Sequence, residues 1–241
     1  MISKTSLPSH PDFAAGEVLL INKEINWTSF DVVNSIKIYL KYEYELRKIK
    51  IGHAGTLDPK ASGLMIVCAG RQTKSIDTFQ AFEKEYTGAF TLGLTTPSWD
   101  TETLPDQTYP TEQITPEMIG NAAKQLTGTI LQRPPSFSAI WVDGKRAYKI
   151  ARKDSEFRME PRQVEVTAFE ITEIEMPLVH FRIRCSKGTY IRALANDFGK
   201  TLGSGAYLSE LCRTAIGEFR LEDALTIGEF KEIYKNPDSE L

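Results

Sequence analysis

What this sequence has little of narrows its class first. Its three cysteines, Cys68, Cys185 and Cys212, are widely spaced and form no Cys-x-x-Cys pair, which excludes a disulfide framework and a structural zinc site on spacing grounds. Histidines also number three, and no His or Cys grouping has metal-ligand spacing. Neither G-x-G-x-x-G nor G-x-x-x-x-G-K occurs, so the common nucleotide-binding loops are missing. No apolar run approaches the length of a bilayer span, and the opening MISKTSLPSHPDFAAGE holds no stretch suited to a signal peptide. These absences point to an untargeted protein of the reducing cytoplasm, with no metal, no cofactor and no membrane attachment. Excess positive charge is missing too. With 29 basic and 32 acidic residues the formal charge is −3, so any polyanion must be held by a local patch.

What is present is an ordinary globular chain, 41% hydrophobic over 241 residues, enough for a real core. Residues 1–16 are rich in Ser, Pro and small residues and are expected to form a loosely held, flexible arm. The folded part begins with the apolar run Val18 to Ile21. Thr28, Ser29 and Asp31 are N-cap candidates for a helix with the stripe Phe30, Val33, Ile36 and Leu40, expected to run to about Glu45. A glycine-containing loop, Lys50 to Pro59, leads into a buried strand over Leu64 to Cys68. Tyr86 to Leu94 alternates like a strand, whereas Thr95 to Thr115, with three prolines and several acids, is expected to be an exposed loop. Thr115-Pro116-Glu117 has every feature of a helix start, and Gly128 ends that helix.

Further along, a short strand is expected over Phe137 to Val142 and a basic helix over Lys145 to Lys153. Two strands follow, Gln163 to Glu175 and Val179 to Cys185. Thr189 is expected to cap a helix carrying Ile191, Leu194, Ala195 and Phe198 up to Gly199. Leu208 to Phe219 then forms a strand pair or bend, and Asp223 to Tyr234 a terminal helix. With no internal repeat or linker, residues 17–241 are expected to form one mixed α and β domain.

Asp58 stands out chemically, since it lies in a loop beside His53 between two segments expected to be buried, and rigidly framed loops concentrate catalytic groups. On spacing alone, a turn-capping role ahead of Pro59 is the commoner case. Residues 133–162 carry eight cations against four acids, a patch that could face phosphates or merely solvent. Arg192, in the first turn of its helix, would need a carboxylate partner if buried. Tyr86 and His53, judged singly, are as well explained by packing and loop hydrogen bonds.

Taken together these segments resemble the bacterial tRNA pseudouridine-55 synthase family, TruB. The resemblance rests on Lys50-Ile51-Gly52-His53-Ala54-Gly55-Thr56-Leu57-Asp58-Pro59, with Ser62-Gly63 and Gly70-Arg71-Gln72-Thr73-Lys74 behind it. It continues in order through Lys84-Glu85-Tyr86, Leu92-Gly93, Gln132-Arg133-Pro134-Pro135, Ser138-Ala139, Gly144-Lys145-Arg146-Ala147-Tyr148, Gly188-Thr189-Tyr190-Ile191-Arg192 and Leu211-Cys212-Arg213-Thr214. It implies an α+β fold, a mixed and mostly antiparallel sheet flanked by helices and loops. It implies isomerisation of uridine to pseudouridine in the T-loop of tRNA, by a monomer. Asp58 is then the catalytic aspartate, Arg192 its ion-pair partner and Tyr86 the aromatic that stacks on the target base. His53, which helps displace the target nucleotide, Leu211 and Tyr190 become substrate-binding residues.

The chain departs from the family pattern near its start, where Asn22-Lys23-Glu24-Ile25-Asn26-Trp27 replaces an Asp-Lys-Pro run with a glycine before Thr28-Ser29. Phe137 replaces a common tyrosine and Trp141 a common lysine, and no C-terminal PUA domain is expected after Leu241. The chemistry suits the residues. A carboxylate can serve as covalent nucleophile or general base, and an arginine keeps it ionised in a water-poor site. Two rival classes remain. A non-catalytic tRNA-folding chaperone would not need Asp58, Tyr86 and Arg192 together. A glycoside hydrolase would need two facing acids, and the best second acid, Asp100, sits in a segment expected at the surface.

Overall fold

The computed structural model describes residues 1–135, 141, 142, 145, 146, 150 and 159–235. The chain is α+β and divides into two compact units, one of Met1–Glu85 with the chain from Cys212 onward, the other of Tyr86–Leu211. It passes from the first to the second within the strand Lys84–Leu92 and returns within Ala206–Ile216.

The first unit is built around the strand Ser62–Ala69, buried from Gly63 to its end as its continuous apolar run predicts. Val18–Lys23 pairs antiparallel with it, from Val18 opposite Cys68 to Lys23 opposite Gly63. Ile51–His53 also pairs antiparallel with it, and Cys212 and Arg213 run parallel to Ser62 and Gly63. That last contact needs glycine: Gly63 has φ +107°, and a Cβ there would collide with the Arg213 backbone. The helix Ser29–Glu43 opens with a capping box, in which the Thr28 hydroxyl accepts from Asp31 N–H and the Asp31 carboxylate accepts from Thr28 N–H. Its buried face is Ser29, Val32, Ile36 and Leu40. Phe30, expected on that stripe, is 70% exposed, because the 3.6-residue period that buries Val32 and Ile36 turns position 30 outward.

Residues 1–16 are not the loose arm that composition suggests. Ile2 is fully buried and exchanges backbone hydrogen bonds with Val18 and Leu20. Phe13 is buried with its ring edge-on to Tyr44, Phe230 and Tyr234. Two apolar anchors thus hold a polar segment.

In the second unit the strand order is Ala206 onward, Tyr86–Leu92, Leu178–Cys185, Arg162–Glu175, Gly128–Gln132. The long pair Arg162–Glu175 and Leu178–Cys185 is antiparallel with two register shifts and coincides closely with the strands expected from sequence. Phe90, Phe169, Phe181 and Phe198 pack together, with Phe90 and Phe181 centroids 4.4 Å apart. Phe198 comes from the helix Ile191–Thr201, most of whose residues are buried. Tyr190, not Thr189, is its N-cap; the Thr189 hydroxyl is spent on the Ser186 carbonyl. The helix Pro116–Gln125 is capped by Thr115 as expected. Lys145 and Arg146 form a two-residue strand opposite Trp141 and Val142 rather than the start of a helix. Apart from Ile150, the rest of the expected basic helix, with most of its charges, and Phe137 lie outside the described residues.

Candidate active site

Asp58 sits on the loop between Ile51–His53 and Ser62–Ala69, partly exposed. Leu57 beside it is buried, with its N–H donating to Ser29 Oγ at 2.8 Å and its carbonyl accepting from that hydroxyl at 3.0 Å. On the other side the Pro59 carbonyl accepts from Asn26 N–H at 2.7 Å. Ala61 N–H closes a turn onto the Asp58 carbonyl. Arg213, fully buried, donates through Nε to Leu64 O at 2.7 Å and through Nη2 to Gly55 O at 3.1 Å. One planar side chain thereby links the Asp58 loop to the central strand.

The charges of Lys23 and Arg213 act on this loop. Lys23 is 0% exposed, donates to the carbonyls of Glu24 and Trp27, and has its pKa lowered to about 8 by burial, opposed by the charge of Asp58. The imidazole of His53 has its pKa lowered, first by burial and then by the Arg213 charge, against a hydrogen bond with the Gly55 backbone. His53 is therefore neutral at physiological pH. Lys84 and Glu85 are anchored in the same unit: Lys84 Nζ donates to Gln80 and Phe82 carbonyls, and Glu85 accepts from the Thr214 hydroxyl.

Within the second unit, Arg192 is the centre. Its Nε lies 3.6 Å from Asp100 Oδ2, with side chains 4% and 5% exposed, and its Nη1 donates to the Ser98 carbonyl. Asp100 was expected at the surface. Its segment is instead held in by the Thr96 hydroxyl on the Asp100 carbonyl, by Asp100 Oδ1 on Glu102 N–H and by Leu208 N–H on Trp99 O. The buried arginine's need for a carboxylate is met in part by a residue that its acidic neighbours disguise. Tyr190 exchanges backbone hydrogen bonds with the buried Gln132 side chain at 2.8 and 3.1 Å, and its ring lies under the Arg162 guanidinium at 5.1 Å. Tyr86 is buried on the strand Lys84–Leu92, and Leu211 is half-buried on Ala206–Ile216.

The structure thus gathers His53 and Asp58 with Lys23 and Arg213 in one unit, and Tyr190, Arg192 and Asp100 in the other. Sequence reasoning gives Ser29 only an N-cap candidacy, and gives Lys23, Asn26, Arg213 and Gln132 no place in the site. Arg213 and Gln132 stood inside matched motifs, and that was the only signal for them. Glu173, Glu175 and His180 bring donor atoms within 4.8 Å of one another on the exposed hairpin, a grouping that sequence spacing did not suggest.

The family model for the N-terminal domain of TruB family pseudouridylate synthases matches residues 41–191. The chain belongs to the TruB family. It is 53% identical over 211 residues to a tRNA pseudouridine synthase B of Parabacteroides distasonis, covering 88% of this chain and 90% of that protein. To the protein of the same name from Flavobacterium johnsoniae it is 49% identical over 222 residues, covering 92% and 97%. Among solved structures it resembles a chain in the crystal structure of a Cbf5-Nop10-Gar1 complex, with a TM-score of 0.70 and 30% identity over 96% of this chain. That match spans 58% of the solved chain.

Proposed function

We propose that this chain is a cytoplasmic tRNA pseudouridine synthase that converts uridine 55 of the T-loop to pseudouridine, acting as a monomer without metal or cofactor. The observation that carries the reading is the pinning of Asp58's neighbours by Ser29 and Asn26, in a chain half identical along most of its length to proteins named tRNA pseudouridine synthase B. The reaction is an isomerisation: the bond from ribose C1′ to N1 breaks, a bond from C1′ to C5 forms, the C5 proton leaves and N1 gains one. No electrons enter or leave. Asp58 supplies the reacting carboxylate, as covalent nucleophile or general base, and Arg192, held by Asp100 and Ser98, supplies the cation of the reaction. Extruding the base costs a few kcal/mol, and stacking on Tyr86 returns about 1–3 kcal/mol. His53, neutral and beside Arg213, displaces the target nucleotide, and Leu211 and Tyr190 complete the contacts.

The test uses tRNA tritiated at uridine C5. Release of tritium by the purified protein, with the new nucleoside mapped to the T-loop, supports the proposal. Tight binding of tRNA without release would favour a folding chaperone instead.

A further inference from the structure

Both flanks of Asp58 are tied to one short segment, Lys23 to Ser29. Ahead of it, Ser29 Oγ accepts the Leu57 N–H and donates to the Leu57 carbonyl, both bonds buried. Behind it, Asn26 N–H donates to the Pro59 carbonyl at 2.7 Å, and Asn26 Oδ1 accepts from Lys60 Nζ at 3.0 Å. Asn26 reaches both because its φ is +68°, a left-handed conformation that asparagine and glycine tolerate and β-branched residues resist. The segment is itself closed by Lys23, whose buried ammonium binds the carbonyls of Glu24 and Trp27. Ser29 is the first residue of a helix with a complete capping box, so the tie is mounted on a rigid element.

We infer that Asn26 and Ser29 are positioning residues that clamp the loop of Asp58 from both sides and set the carboxylate's place for reaction. The inference rests on the reading of Asp58 as the reacting group. Displacements of about 1 Å at a reacting atom can cost about a hundredfold in rate, so a clamp on both flanks has a kinetic consequence beyond folding. A role in folding alone would lower the unfolding midpoint but leave the rate of the folded protein unchanged.

The test is single-turnover tritium release from C5-labelled tRNA at saturating protein, alongside the tRNA dissociation constant and thermal unfolding. Ser29→Ala and Asn26→Val are expected to slow release at least tenfold, with the dissociation constant within about twofold of the parent. Asn26→Gly, which adopts a positive φ and keeps its N–H, is expected to recover at least a third of the parent rate. Should Asn26→Val not fold, Asn26→Ala takes its place with an expected loss of about threefold. Parent-like rates in folded Ser29→Ala and in folded Asn26→Val, or Asn26→Ala in its place, overturn the inference, as does a loss accounted for wholly by weaker tRNA binding. Asp58→Asn is the control: a parent-like rate there sinks the reading of Asp58 itself, whereas an inactive control beside fully active clamp variants sinks only the clamp.

Discussion

Arg192 and Asp100 form a buried ion pair, 3.6 Å from Nε to the carboxylate. Replacing Asp100 takes a carboxylate away from a guanidinium held in a dry place. Asp100→Asn should therefore cost about 3 kcal/mol of stability, near the low end of the usual penalty for breaking a buried pair, as read by urea unfolding. It should also slow isomerisation, because the guanidinium loses the partner that orients it. A stable, fully active Asp100→Asn protein would show that the pair is incidental.

Lys23 sets a pH dependence. Its pKa in the folded protein is lowered to about 8, below the value it returns to on unfolding. Between those two values the unfolded chain holds a proton that the folded chain has lost, so this group makes stability rise with pH there. Below about pH 8 both states are protonated and the cost of the buried charge is present in full. Urea unfolding at pH 7.5 and 9.5 should show the parent gaining on Lys23→Met at the higher pH. An unchanged gap would mean that Lys23 keeps its proton.

The cysteines differ in reactivity. Cys68 and Cys185 are buried, and burial pushes the Cys68 thiol up to about 11, while Cys212 is partly accessible. A thiol reagent applied to the native protein should label Cys212 and spare the other two until denaturant is added. Rapid native labelling of Cys68 would contradict its placement in the central strand.

Tyr86 separates stacking from hydroxyl chemistry. Tyr86→Ala should lower kcat/KM by roughly 10- to 100-fold, matching the loss of one stacked base, whereas Tyr86→Phe keeps the stack. A Tyr86→Phe protein that works normally confines Tyr86 to stacking; one as poor as Tyr86→Ala assigns a role to its hydroxyl.

Local signals in the sequence were legible where local physics decides. Thr28 and Asp31 are spaced for a capping box and make one, and Thr115-Pro116 starts a helix where it should. The continuous apolar run at Leu64 to Cys68 is a buried central strand, and the long hairpin strands fall within a residue of their expected ends. Tertiary effects were not legible. Ile2 and Phe13 are isolated apolar residues in a polar segment, and only the partners supplied by Val18, Leu20, Tyr44 and Phe230 make them anchors. Asp100 looks like one more acid in an acidic loop until Arg192 is brought to it from 92 positions away in sequence. Asp58 stands out by its loop context and His53 and Arg192 by motif, but Ser29 and Asn26 act through bonds to the backbone on either side of Asp58, which no side-chain pattern reveals.

The account depends most on the carboxylate at position 58. The direct measurement is tritium release from C5-labelled tRNA by Asp58→Asn, on protein shown to unfold at the parent's temperature and to bind tRNA with the parent's affinity. Release indistinguishable from a protein-free control is the predicted result; release at the parent's rate would contradict it.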